Sequence, residues 1–249
     1  QSFDKAQPYR ISLVITEQSK LEKLIQSSVD RLSQEQAKTS WSTPDGAYFA
    51  SGKDKGELAL LFPGQGSQYT NMLLDLACQF PQMQSSLAMA QGIKSEFNSE
   101  QKLNDLIYPI SVFNKVAAEE NEKTLRLTQN AQPALGASSM GAHNVLQHFG
   151  LLAQASAGHS FGELSALAAA GVISEEDLHR LANKRGELMQ AKDGDHGAML
   201  AVAASAAVVH EFLEAEPLDL IIANNNAPAQ VVLSGASADI DQALIRLKQ

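Results

Sequence analysis

Gly158-His159-Ser160-Phe161-Gly162 sets a serine between two glycines at the spacing of a nucleophile elbow, a sharp strand-to-helix turn that exposes the hydroxyl oxygen. The glycines follow from the geometry, since the turn forces the serine into strained backbone space and leaves no room for side chains on either flank. Ser160 is therefore the candidate nucleophile, and the chemistry is nucleophilic catalysis. Such five-residue patterns also occur in ordinary loops, so the flanks matter. Leu151 to Ala157 lead in as an apolar-to-small segment, and Glu163 to Ala170 follow as a good helix former ending before Gly171. That helix aims its N-terminal N–H groups at the serine.

Two further segments carry chemistry. Leu58-Ala59-Leu60-Leu61-Phe62 reads as a buried parallel strand running straight into Pro63-Gly64-Gln65-Gly66-Ser67-Gln68. The loop lacks the third glycine of a dinucleotide fingerprint and the Lys-Ser/Thr of a phosphate loop, and its glycines let a backbone N–H approach a ligand closely. Ser174 followed by Asp177 is a capping-box pattern opening a helix whose inner stripe is Leu178, Leu181, Ala182, Arg185 and Met189. A guanidinium on that stripe needs an anionic partner, a route to water, or a cavity that receives an anion. Spacing alone favours a salt bridge to one of the 28 acidic residues. Arg180 and Lys184 read as surface charge.

The positioning elements follow from pattern. Tyr9 to Thr16 reads as a strand, and Leu21, Leu24, Ile25, Ser28 and Leu32 recur at helical spacing, a βα unit standing alone. Ala37 to Gly56 reads as polar linker or loop, with a boundary near Lys55. Glu119-Glu120-Asn121-Glu122 reads as a solvated loop. Pro133 is placed in the first turn of a helix running to His148 and stopped by Gly150, with Leu135, Ser139, Ala142, Leu146 and Phe149 on one face. His143 and His148 are five apart, so they do not form an i, i+4 metal pair and read as structural or exposed; no metal site is expected. From Ala198 onward the order is strand (to Ala204), helix (Val208 to Glu214), strands (Leu218 to Ala223, Gln230 to Ser234) and helix (Ala238 to Lys248). This is one strand short of a ferredoxin-like unit.

At 249 residues and 44% hydrophobic content the chain can bury a sizeable core. A net charge of −9 argues against a nucleic-acid surface or an anionic membrane as partner. No run of 18 apolar residues and no signal peptide is present, and the single Cys78 fits a reducing compartment, so a cytoplasmic protein is expected. The chain starts at Gln1 and stops at Gln249 inside an amphipathic helix, so both ends read as cuts in a longer polypeptide.

PGQGSQ at 63–68, Gln132-Pro133-Ala134-Leu135, GHSFGE at 158–163, and Arg185-Gly186 with Leu188-Met189 together resemble malonyl-CoA:acyl-carrier-protein transacylases, in the same order. The resemblance covers residues 57–249. Residues 1–56 resemble the linker between a ketosynthase and an acyltransferase. Phe161 and the Asn224-to-Pro228 segment look most like multidomain polyunsaturated fatty acid synthases or iterative polyketide synthases. The implied fold is an α/β-hydrolase-like core with a parallel sheet at 57–196 and a partial ferredoxin-like subdomain at 197–249.

The resemblance further implies that Ser160 takes malonyl from malonyl-CoA and passes it to the phosphopantetheine thiol of an acyl carrier protein. No bound cofactor is implied, and an adjacent ketosynthase domain is a partner. The backbone N–H groups of Gln65 and Phe161 would form the oxyanion hole, and Arg185 would hold the malonyl carboxylate by a bidentate pair. Asn224, Asn226 and Gln230 would line the site, with His159 as a substrate contact and not the base. The family's catalytic histidine falls beyond residue 249, and none of the six histidines present matches its motif. Two other readings stay open: a serine acyl hydrolase, and a catalytically incomplete structural portion of a megasynthase.

Overall fold

A computed structural model describes residues 7–17, 20–34, 39–52, 56–97, 101–189, 194–195 and 197–247. The chain divides into two compact units, Gln1–Leu60 with Leu152–Ser156, and Leu61–Leu151 with Ala157–Gln249. None of the described helices is long and apolar enough to cross a membrane.

In the first unit β1 (Tyr9–Leu13), α1 (Leu21–Gln34), β2 (Ser40–Ser42) and β3 (Ala47–Ser51) build an antiparallel sheet of order β1-β3-β2 backed by the helix. The βα unit therefore does not stand alone, and the stretch expected to be linker supplies two strands. Trp41 and Ala47 bury their side chains with Leu24, and Trp41 stacks on Phe49 at 5.5 Å. Turn residues around Pro44 and Gly46 hid this hairpin; Gly46, at φ 103, makes its corner. Strand β1 also stops three residues short of Thr16. The boundary expected near Lys55 lies outside the described residues.

Strand β4 (Ala59–Phe62) pairs with β5 (Ala155–Gly158). Backbone bonds from Gln154 N to Leu58 O and from His159 N to Phe62 O, both advancing in the same direction, make the pair parallel. Contrary to the fully buried strand expected, only Phe62 is buried and Leu61 is 79% exposed. Helices α2 (Leu74–Gln79), α3 (Pro81–Glu96), α4 (Leu103–Ile107), α5 (Lys115–Arg126) and α6 (Thr128–His148) come between them in the chain. Met83, Leu87 and Ala90 of α3 pack with Leu103, Leu106 and Ile107 of α4, Leu125 of α5, and Ala134, Ala137 and Val145 of α6.

Three expectations fail in this layer. The acidic run at 119–122 lies within α5, because alanines and glutamates favour helix once Asn114 caps it by accepting from Val116 N; Glu122 then accepts from Thr70 N and Oγ1 at 2.9 and 2.6 Å. Helix α6 begins at Thr128, so Pro133 sits inside it rather than in its first turn. No single apolar face exists on α6 either: residues 130–138 are all buried, whereas Leu146 and Phe149 of the expected stripe are exposed. A helix enclosed by neighbours on all sides has no amphipathic pattern to read.

Helices α7 (Gly162–Ala169) and α8 (Glu175–Leu188) follow the elbow. Ser174 caps α8 as its sequence foretold, accepting from Asp177 N at 3.0 Å. Its buried stripe is Leu178, His179, Ala182, Asn183 and Gly186, while Leu181 and Met189 are exposed, a rotation of one residue from the expectation. The final portion contains β6 (Ala198–Val202), α9 (Ala206–Ala215), β7 (Leu220–Ala227), β8 (Gln230–Gly235) and α10 (Ser237–Arg246), in the expected element order. The sheet order is β6-β8-β7, all antiparallel, over a core of Val209, Leu220, Val231, Leu233, Ile240 and Ala243.

Candidate active site

Strand β5 ends at Gly158 and α7 starts at Gly162, so the three residues between them turn the chain from sheet to helix. Ser160 takes φ 52, a left-handed conformation that an L-residue adopts only when its surroundings enforce it. Enforcement comes from backbone bonds, Gly162 N to His159 O at 2.9 Å and Glu163 N to Ser160 O at 3.0 Å, and from close approach. A Cβ on Gly158 would collide with the Gly162 carbonyl, and one on Gly162 with the Phe62 carbonyl. Ser160 is half-buried, and no described side chain hydrogen-bonds to its Oγ.

Phe161, fully buried among Leu135, Met140, Leu178 and Ala182, anchors the turn from below. A Cβ on Gly136 of α6 would stand 3.4 Å from the Phe161 ring tip and 3.5 Å from Nδ1 of the buried His179. Behind His179, Glu175 accepts from Asn144 Nδ2 at 3.0 Å. His179 Nε2 stands 3.5 Å from the other carboxylate oxygen, near enough for electrostatic attraction though too poorly aligned for a hydrogen bond. Burial alone would raise the Glu175 pKa, but contacts from His179, Ser86 and Asn144 outweigh it and hold the carboxyl at about 2.

The loop after β4 lies directly against the elbow. A Cβ on Gly64 would stand 2.5 Å from the His159 carbonyl oxygen and 2.9 Å from its Nδ1, so only glycine allows this approach. Gly64 O accepts from Ser67 Oγ at 2.8 Å, and Gly66 N donates to the buried Gln68 Oε1 at 2.7 Å. Among the described residues, neither the N–H of Gln65 nor that of Phe161 has an acceptor. Two amide donors without an acceptor among the described residues thus lie on the Gly64 loop and on the elbow itself, at the N-terminal end of α7, where the helix favours negative charge.

The His159 Nε2 lies 3.1 Å from Asn226 Oδ1, within hydrogen-bond distance. Asn226 reaches the elbow because β7 bulges: the register against β8 shifts by one residue between Ile222 and Asn224 and again between Asn225 and Ala227. The second bulge makes Asn226 the unpaired extra residue and re-aims its side chain. Asn224 is half-buried and Gln230 exposed, and neither forms a side-chain hydrogen bond with the elbow.

Arg185 is half-buried on α8 and pairs with no carboxylate among the described residues, so the expected salt bridge is absent. Arg180 pairs with Glu96 and Glu176, and Lys184 with Glu187, as surface charge. Beside Arg185, Gly186 packs against Gln129 of α6, where a Cβ would stand 2.8 Å from the Gln129 Cα. One turn on, Met189 Sδ lies 3.5 Å from Gln132 Nε2, which also donates to Gln65 Oε1 at 3.4 Å. Gln65 Nε2 in turn donates to Thr128 Oγ1 at 3.1 Å. Gln132, with no exposed surface and with its Oε1 unpartnered among the described residues, joins the loop to the arginine helix. Sequence reasoning noted the Gln132-Pro133 segment but gave Gln132 no role; an amide beside a proline within a helix was the available signal.

A model of the acyl transferase domain family matches residues 59–249. A polyunsaturated fatty acid synthase component of Thraustochytrium sp. is 31% identical over 210 residues, covering 80% of this chain and 7% of that protein. The malonyl CoA-acyl carrier protein transacylase of Bacillus subtilis is 35% identical over 192 residues, 75% of this chain and 56% of its own length. The crystal structure of the acyltransferase domain from the second module of the salinomycin polyketide synthase superposes with a TM-score of 0.76 at 27% identity, over 98% of this chain and 52% of that one. The chain thus spans little more than half, or far less, of each relative.

Proposed function

Since this chain belongs to the acyl transferase domain family, we propose that it moves a malonyl group from malonyl-CoA to Ser160 and on to the phosphopantetheine thiol of an acyl carrier protein. The observation that carries this reading is Ser160 in a left-handed elbow against which the Gly64 loop packs, with the N–H groups of Gln65 and Phe161 lacking an acceptor among the described residues. Ser160 Oγ attacks the thioester carbonyl, and the oxyanion is received by those two donors. The C–S bond breaks, and the CoA sulfur leaves with the proton the hydroxyl gave up. In the second half the carrier thiol attacks the ester and returns a proton to Ser160. The carrier as acceptor is supported by the name of the Bacillus subtilis relative.

Arg185 is the proposed carboxylate clamp, supported by its half-buried position and by its pairing with no carboxylate among the described residues. Asn226, through His159, ties the small sheet to the elbow, and Asn224 and Gln230 are assigned to the substrate cleft. His159 is not assigned as base, because its Nε2 is engaged with Asn226. The parallel β4–β5 pair with the elbow supports an α/β-hydrolase-like core for residues 57–196. The β6-β8-β7 order supports a ferredoxin-like subdomain for 197–249. Residues 1–56 are assigned as the linker from a ketosynthase. A cytoplasmic setting is consistent with the one cysteine, Cys78, being a free thiol.

The test is intact-mass measurement after malonyl-CoA treatment of the natural polypeptide containing this chain. A malonyl adduct lost in Ser160→Ala is expected. An adduct that persists in the variant refutes the elbow assignment, and release as free malonate with no carrier-bound product makes water the acceptor.

A further inference from the structure

Lys94 on α3 is 3% exposed and pairs with no carboxylate among the described residues. Its Nζ donates to Gln129 O at 3.2 Å and to Asn130 Oδ1 at 3.3 Å, and burial lowers its pKa. The first acceptor is a particular one. In a regular helix Gln129 O would accept from the N–H of residue 133, but that residue is proline and has no N–H. The lysine supplies the donor that the proline withholds.

The carbonyl so held lies at the centre of the candidate site's support. Thr128, one residue before it, accepts from Gln65 Nε2, and Gln132, three residues after it, donates to Gln65 Oε1, so one helical turn clasps the Gln65 side chain at both ends. Gly186, next to Arg185, rests on Gln129 Cα itself. Asn130, the lysine's second acceptor, donates onward to Thr124 O at 2.9 Å and fastens the same turn to α5.

We propose that Lys94 is a positioning residue: by occupying the carbonyl that Pro133 leaves without a helical donor, it fixes the 128–132 turn that holds both the Gln65 loop and the Arg185 helix. The inference rests on the acyl-transfer reading above for its kinetic consequence, and on the hydrogen bonds alone for its structural one. Lys94→Met keeps the buried stem and removes the donor. Pro133→Ala restores the helical N–H and makes the lysine dispensable.

Four forms of the natural polypeptide are compared: wild type, K94M, P133A and the double variant. Ser160 acylation is followed by intact mass with malonyl-CoA and acetyl-CoA, and backbone amide exchange is followed across residues 128–135. K94M is expected to exchange faster there and to acylate about tenfold more slowly, with a weaker malonyl preference, since a shift of an ångström or less in catalytic geometry has effects of this size. The double variant should return to within about twofold of P133A, a strongly non-additive cycle. Where K94M alone does not fold, the comparison of the double variant with P133A carries the test.

Unchanged exchange and rate in folded K94M overturn the proposal. So does a lower melting temperature with an unaltered rate and malonyl-to-acetyl ratio, which marks the lysine as a stabilising residue only. Additive effects in the double variant overturn the link to Pro133. If wild type forms no ester, the acyl-transfer reading falls, and amide exchange alone decides whether Lys94 holds the turn.

Discussion

Gly64→Ala tests whether close approach between the loop and the elbow sets the oxyanion donor. The φ of Gly64 is not in the left-handed region, so alanine brings no backbone strain there and its effect is purely one of space. Its Cβ would stand 2.5 Å from the His159 carbonyl oxygen where ordinary contact begins at 3.4 Å, so the loop must retreat by about 0.9 Å. The elbow cannot yield in its place, because that carbonyl accepts from Gly162 N at 2.9 Å and the bond helps hold Ser160 at φ 52. The Gln65 N–H, on the next residue, moves with the loop. Losing one oxyanion donor costs ~10²–10³ in rate, and a misplacement of about 1 Å has a similar lower bound, so acylation should slow ~10²-fold. Rapid-quench intact-mass measurement of the Ser160 ester gives the rate, and a melting curve shows whether the variant is folded. Wild-type acylation by a folded G64A protein refutes the reasoning, since the donor would then be placed by something other than this contact.

Arg185→Ala should lose malonyl selectivity against acetyl-CoA by roughly ten- to hundredfold, the worth of a charged hydrogen-bonded contact, with little change in melting because it pairs with no carboxylate among the described residues. Early melting with an unchanged malonyl-to-acetyl ratio would assign the arginine to packing. Glu175, at about 2 in the folded protein against an ordinary 4.5, contributes stability that is complete above pH 4.5 and is lost as pH falls through 2. Urea titrations across that window should show the wild type weakening by an amount on the order of 2–3 kcal/mol. Glu175→Gln should start lower and stay flat; a parallel decline in both would show that other carboxyls govern acid unfolding.

Features governed by neighbours in the chain were legible in the amino-acid order itself. The elbow at 158–162, the Ser174 cap and the strand–helix order from Ala198 onward each depend on residues a few positions apart, where glycine sterics, capping hydrogen bonds and side-chain periodicity act. Tertiary structure decided the rest. The hairpin of β2 and β3 reads as loop until β1 and α1 cover Trp41 and Ala47, and α6 shows no stripe because helices surround it. The Glu122 run becomes helix where Thr70 can meet it, 52 residues away. The site depends on still longer separations: Gln65 to Gln132 and His159 to Asn226 each span 67 residues. Arg185 marks the division most sharply: spacing put it on the inner stripe with a salt bridge, whereas in the packed chain the buried stripe is rotated by one residue, Arg185 is half-buried beside it, and none of the described carboxylates reaches it. Local propensity specifies what a segment can become; which polar group finds a partner is fixed by packing, because a buried donor is satisfied by whatever acceptor the fold brings within about 3 Å.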